Sequence, residues 1–206
     1  IDAISNREQI DELVFRTQNK LSDKPIIALL PGSRKQEIEK MLGIMLKVVD
    51  RFSDYKFVIA GAPGQSRQFY ESYQYKENIR LIVNKTYDLL SISTAAIVTS
   101  GTATLETALF KVPEIVCYKT SWLSYQIGKR VVKLEFISLV NLIMKRAVVK
   151  ELIQDAFNEK NLIKELRLIL SESERKRMFL DYFELEKKLG GKGTSAKVAN
   201  LITKKL

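Results

Sequence analysis

The 206 residues contain no histidine and a single cysteine. The first absence removes Ser-His and Cys-His nucleophilic machinery, and together the two leave no ligand set for a zinc site. General-base chemistry in this chain therefore falls to Asp, Glu, Lys or Tyr. Cys117 lies inside the strand-like run Glu114-Ile115-Val116-Cys117-Tyr118, which reads as a buried core thiol and not as a nucleophile. A lone cysteine offers no disulfide framework, as expected of a reducing cytoplasm. No apolar run approaches the ~18 residues that a membrane span needs. No signal-peptide pattern opens the chain, so export is not expected. Internal repeats and low-complexity segments are also missing.

What is present is a core-forming composition, 46% hydrophobic, at a length that suits one α/β domain or at most one and a half. The net charge is +10, and it is local. Residues 119–150 hold seven Lys or Arg (119, 129, 130, 133, 145, 146, 150) against one acid, Glu135. Such a concentration points to an anionic partner. Residues 121–134 read as a helix carrying Trp122 and Tyr125 beside Lys129, Arg130 and Lys133, a composition that suits a membrane interface. The same helix could instead pack its aromatic face on a sheet. No nucleic-acid recognition motif accompanies the charge, so nucleic-acid binding is not expected.

Continuous apolar runs at 25–30, 56–60, 79–83, 95–99 and 114–118 predict five strands covered on both faces. Between them come helical spans: 35–52, with Ile38, Met41, Leu42, Met45, Val48 and Val49 at three- and four-residue spacing, then one ending near 75, then 86–91 and 102–110. Strands alternating with helices mean a doubly wound parallel α/β sheet. Residues 1–22 read as a lead-in with one weakly apolar face, 23–160 as the nucleotide-binding unit, and 161–206 as C-terminal helices. The Gly190-Gly191-Lys192-Gly193-Thr194 turn follows a helix and lacks phosphate-loop spacing, so it reads as a helix stop.

The run Val98-Thr99-Ser100-Gly101-Thr102-Ala103-Thr104-Leu105-Glu106 breaks a strand at Ser-Gly and opens a helix. Unpaired N–H groups at such a start can seat an anion, and Gly101 lets a ligand come close. Glu106, one turn on, can reach back toward the same mouth. An ordinary capped helix with a surface glutamate is the competing reading. Arg34, after Pro31-Gly32-Ser33, is a cation at a helix N-terminus, where like partial charges repel and an anionic ligand would offset them. Asn141 and the pair Glu151 and Gln154 lie beyond the fifth strand. The three-residue spacing of that pair predicts a shared helix face that could read a ribose or a base edge.

Four stretches resemble lipid-A-disaccharide synthase, in that family's order. They are Leu30-Pro31-Gly32-Ser33-Arg34, Ser100-Gly101-Thr102-Ala103-Thr104-Leu105-Glu106, Ile137-Ser138-Leu139-Val140-Asn141-Leu142-Ile143 and Glu151-Leu152-Ile153-Gln154. Val140 stands where the family usually has proline, and Met144-Lys145 replace smaller residues. The resemblance implies a Rossmann-like half of a two-domain GT-B glycosyltransferase, the half that holds the UDP-sugar. It implies transfer of an acylated glucosamine from UDP-diacylglucosamine to a diacylglucosamine phosphate, with inversion, without metal or cofactor. It casts Arg34 and Asn141 as catalytic residues whose loss spares folding. Gly32, Ser33, Ser100, Gly101, Thr102, Ala103, Thr104, Glu106, Glu151 and Gln154 join those two in binding the nucleotide sugar. The general base and much of the acceptor site are expected in an N-terminal domain outside this chain. Also expected are a peripheral place on the anionic inner-membrane surface and a homodimer. An epimerase-like UDP-sugar enzyme and a non-catalytic nucleotide-binding module are the alternatives.

Overall fold

A strand that is apolar along its whole length is stable only where both faces are covered. In the computed structural model β1 (Ile26–Leu30) and β2 (Lys56–Gly61) meet that condition at every residue. With β3 (Ile79–Val83), β4 (Ser93–Thr99), β5 (Glu114–Tyr118) and β6 (Lys150–Ile153) they form one parallel sheet in the order β3-β2-β1-β4-β5-β6. The structure describes residues 10–73, 76, 78–120 and 135–190 and the single positions 4, 193 and 203. The helix read at 121–134, with Lys129, Arg130 and Lys133, lies outside them.

Among the described residues the α-helices are α1 (Glu12–Gln18), α2 (Lys35–Lys47), α3 (Arg67–Glu71), α4 (Thr86–Ser91), α5 (Thr102–Leu109), α6 (Leu139–Met144), α7 (Glu159–Ile169) and α8 (Glu172–Lys188). Alternation along β1 divides its two faces. Ile27 and Leu29 meet Ile38, Met41 and Met45 of α2, while Ile26, Ala28 and Leu30 meet Phe15 of α1 and Leu89 and Leu90 of α4. β3, β5 and α4 have the expected bounds, β1, β2 and α5 each differ by one residue at one end, and β4 starts two residues early, at Ser93. The expected helix at 35–52 stops at Lys47 and tightens into a 3-10 turn, Val49–Arg51. After Lys188 the chain turns through Gly190 at φ +88°, a helix stop that glycine adopts without strain.

The sixth strand corrects the sequence reading. Glu151 and Gln154 do not share a helix face: Glu151 is in β6, and Gln154 opens a 3-10 turn at φ +53°. At the sheet edge only Leu152 of β6 is buried, so the segment has no continuous apolar run to betray it. α8 is tied down at several points. Arg175 donates to the Thr94 carbonyl at 2.7 Å, Arg177 to the Val148 carbonyl at 2.9 Å, and Lys111 pairs with Glu186 at 2.6 Å. Arg146, part of the basic excess, pairs with Asp181 at 2.8 Å and Glu184 at 2.7 Å, so its charge is answered within the chain. Among the described residues no helix is long and apolar enough to cross a membrane.

One core residue breaks the apolar rule. Glu114, at the start of β5, is wholly buried, and neither carboxyl oxygen has a hydrogen-bond partner among the described residues. Burial without compensation pushes its pKa well above the ordinary 4.5, so the folded chain holds the proton. The native state then binds more protons than the unfolded one, and this group's contribution to stability falls as pH rises above about 4.5 toward the raised value. Glu114→Met, of similar volume and without a charge, is expected to raise stability at pH 7.5 by about 1–3 kcal/mol. Urea unfolding between pH 4 and 8 checks this. The gap between variant and parent should widen as pH rises, and a pH-independent gap would show that Glu114 is not held protonated.

Candidate nucleotide-binding crevice

Strand order reverses between β1 and β4, and in open parallel sheets the crevice for a ligand opens beyond the carboxyl ends of the strands at that point. A cavity of about 470 Å³ lies there. Its floor includes Leu30, Ala60 and Thr99, and its walls are the turns that follow β1, β2, β3 and β4.

The turn after β4 runs from Thr99 through Ser100 and Gly101 into α5. Gly101 is the N-cap, in extended backbone and with no side chain capping the helix, so the first amides of α5 face the cavity without a partner from a capping group. A Cβ on Gly101 would meet nothing within 4 Å, which leaves room for a ligand against the backbone. Thr99 is 7% exposed, and its hydroxyl has no hydrogen-bond partner among the described residues. Glu106, half-buried, turns to the cavity, and its carboxylate makes no hydrogen bond or ion pair among them. Ser100 is already engaged, donating from its hydroxyl to the Ile137 carbonyl at 3.1 Å.

The turn after β1 is different. Glu37, one turn into α2, folds back so that Oε2 accepts from the backbone N–H of Ser33 and of Arg34, both at 3.3 Å. Its Oε1 meets the Arg34 guanidinium at 3.3 Å. Repulsion between Arg34 and the helix N-terminus is thus offset first by the chain's own carboxylate, before any ligand. Tyr87, packed on Phe110 with ring centroids 5.4 Å apart, gives the cavity an aromatic wall.

Three comparisons bear on this crevice. The family described as lipid-A-disaccharide synthetase matches residues 1–204. The chain belongs to that family. A curated relative, lipid-A-disaccharide synthase of Syntrophus aciditrophicus (strain SB), is 35% identical over 207 residues, covering 97% of this chain and 53% of its own length. The chain spans about half the length of the curated relatives it matches. Among solved structures, the C-terminal domain of a glycosyl transferase group 1 family protein from Francisella tularensis aligns with a TM-score of 0.61 at 13% identity, over 93% of this chain and 99% of that one. A putative UDP-N-acetylglucosamine 2-epimerase from Listeria monocytogenes aligns with a TM-score of 0.56 at 18% identity, over 86% of this chain and 45% of that one. These two likenesses carry the fold, that of a Rossmann-like GT-B half, and no more.

Of the residues singled out by resemblance to lipid-A-disaccharide synthase, Gly32, Ser33, Arg34, Ser100, Gly101, Thr102, Ala103 and Glu106 line the cavity. Thr104 is buried, its hydroxyl donating to the Gly101 carbonyl at 2.9 Å. Asn141, Glu151 and Gln154 are not among the lining residues. Asn141 is 1% exposed and spends its whole amide on its neighbours. Its oxygen accepts from the N–H of Val148 at 2.8 Å and of Val149 at 2.9 Å; its nitrogen donates to the Val149 carbonyl at 2.9 Å and to Glu151 at 2.8 Å. Glu151 in turn accepts from the N–H of Ile137 and Ser138, at 3.0 and 2.9 Å. Among the described residues the pair is linked to the crevice through Ile137, whose carbonyl holds Ser100. Gln154 accepts from the Thr120 N–H at 3.3 Å, and its buried amide nitrogen has no partner among the described residues.

Glu37 and Tyr87 were missed by sequence reasoning. For Glu37 a signal existed, an acid three residues after the N-cap, which is half of a capping box. For Tyr87 there was none beyond its place after a strand end.

The expectation that loss of Asn141 spares folding does not fit its four side-chain hydrogen bonds, three of them buried. Asn141→Ala leaves the Val148 and Val149 amides and Glu151 short of partners, and is expected to destabilise the chain by about 2–4 kcal/mol. Denaturant unfolding measures it, and a loss below about 0.5 kcal/mol would return Asn141 to a purely chemical role.

Proposed function

We propose that this chain is the donor-binding half of a lipid-A-disaccharide synthase, seating the UDP moiety of an acylated glucosamine donor in the crevice between β1 and β4. The observation that carries the reading is the uncapped start of α5 beside the carboxylate of Glu106, which has no partner among the described residues. Backbone amides at a helix N-terminus suit the diphosphate, and a carboxylate about one turn away suits the ribose hydroxyls. Arg34 reaches the same cavity as an exposed guanidinium. As the glycosidic bond to the donor breaks, negative charge gathers on the leaving diphosphate, and these donors offset it without reorganising. The acceptor, a diacylglucosamine phosphate, and the base that takes its hydroxyl proton belong to the half of the family's length that this chain does not span. Asn141 and Glu151 serve by fixing the Ile137 carbonyl and, through it, Ser100. An anionic membrane surface fits the lipid substrates and the basic excess of residues 119–150.

The chain should bind UDP and form no disaccharide by itself. Calorimetry with UDP should show Glu106→Ala losing about 1.5–3 kcal/mol of binding free energy, the range for removing a charged hydrogen-bond partner. Equal affinity in parent and variant, both folded, would take Glu106 out of the site, and efficient disaccharide formation by this chain would overturn the division of labour.

A further inference from the structure

Of the helix starts that line the crevice, those of α2 and α5 are not equivalent. The start of α5 has no side chain capping it. At the start of α2 the Glu37 carboxylate lies so close over the turn that a Cβ on Gly32 would stand 2.8 Å from its Oε2 and 3.0 Å from its Cβ. Gly32 is at φ +111°, a conformation other residues rarely adopt. The turn is therefore built around that carboxylate, which takes both the Ser33 and Arg34 amides. A phosphate placed there would displace a bound anion or sit against one, and like charges at that range repel. What the turn still offers an anion is the Arg34 guanidinium, whose side chain is 84% exposed and bears on Glu37 from one side only.

We propose that Glu37 is a positioning residue for the anionic end of the ligand: it fills the amide nest of α2, so that a diphosphate is held at α5 and meets the β1 turn only through Arg34, which Glu37 orients. The proposal rests on the nucleotide-binding reading above. An exposed ion pair at 3.3 Å adds little to stability. Its effect is on the freedom of a long side chain, and a guanidinium already turned to the crevice loses less freedom on binding.

A double-mutant cycle on this chain tests the idea, with UDP as the probe and calorimetry as the readout for Arg34→Ala, Glu37→Gln and the pair. Glu37→Gln is expected to weaken UDP binding about threefold to tenfold, and Arg34→Ala to cost less in the Glu37→Gln background than in the parent. If the two changes are additive, or Arg34→Ala costs more once Glu37 is neutral, Glu37 merely competes for the guanidinium and the proposal fails while UDP binding stands. A parent chain that binds no UDP overturns the nucleotide reading itself. Amide hydrogen exchange without ligand judges the nest separately: Glu37→Ala should speed Ser33 and Arg34 by about tenfold or more and leave Thr102 unchanged. Unchanged exchange at Ser33 and Arg34 would overturn the filled nest.

Discussion

From β1 the chain winds through β2 to β3 on one side, and from β4 through β5 to β6 on the other. Right-handed connections then carry the covering helices to opposite faces of the sheet, and between β1 and β4 no connection closes over the carboxyl ends. The gap follows from the winding and costs no special sequence. What the sequence must supply is what stands at its edges. Turns that end at Gly32 and Gly101 bring backbone amides to the opening from two sides. Both edges of the gap are anchored in strands that are buried along most of their length.

The two edges are finished by different chemistry. On the β1 side an internal acid occupies the turn, and on the β4 side the turn is open while the support lies behind it. That support is a chain of hydrogen bonds from Ser100 to Ile137, from Ile137 to Glu151, and from Glu151 to Asn141. Asn141 closes the chain by gripping the backbone of Val148 and Val149 just before β6. The edge strand and the mouth of the crevice are thus one polar unit. In a buried network each member is costly to lose, because removal leaves its neighbours without partners.

Much of this was legible beforehand where apolar pattern carried the information. Continuous runs marked β1, β2, β4 and β5, and the Ser-Gly break marked the start of α5. β6 was not legible, because Lys150, Glu151 and Ile153 keep contact with solvent and only Leu152 is buried. Asn141 looked chemical because a polar residue in a family motif invites that reading. Its partners are main-chain groups of a turn, which no side-chain pattern announces. Arg34 does stand at the start of α2, but the anion it pairs with there is Glu37, three residues on. A local pattern reveals a helix cap only when both of its members are considered together.

The dependence of the core on α8 also sets an order of events during synthesis. Strands through β6 are complete by Ile153, yet Met178, Tyr182 and Leu185, which finish the larger apolar cluster, emerge about thirty residues later. Burial pushes the pKa of the Tyr182 hydroxyl well above its ordinary value. A chain halted after β6 has its whole sheet but leaves one side of the larger apolar cluster open to water until α8 follows.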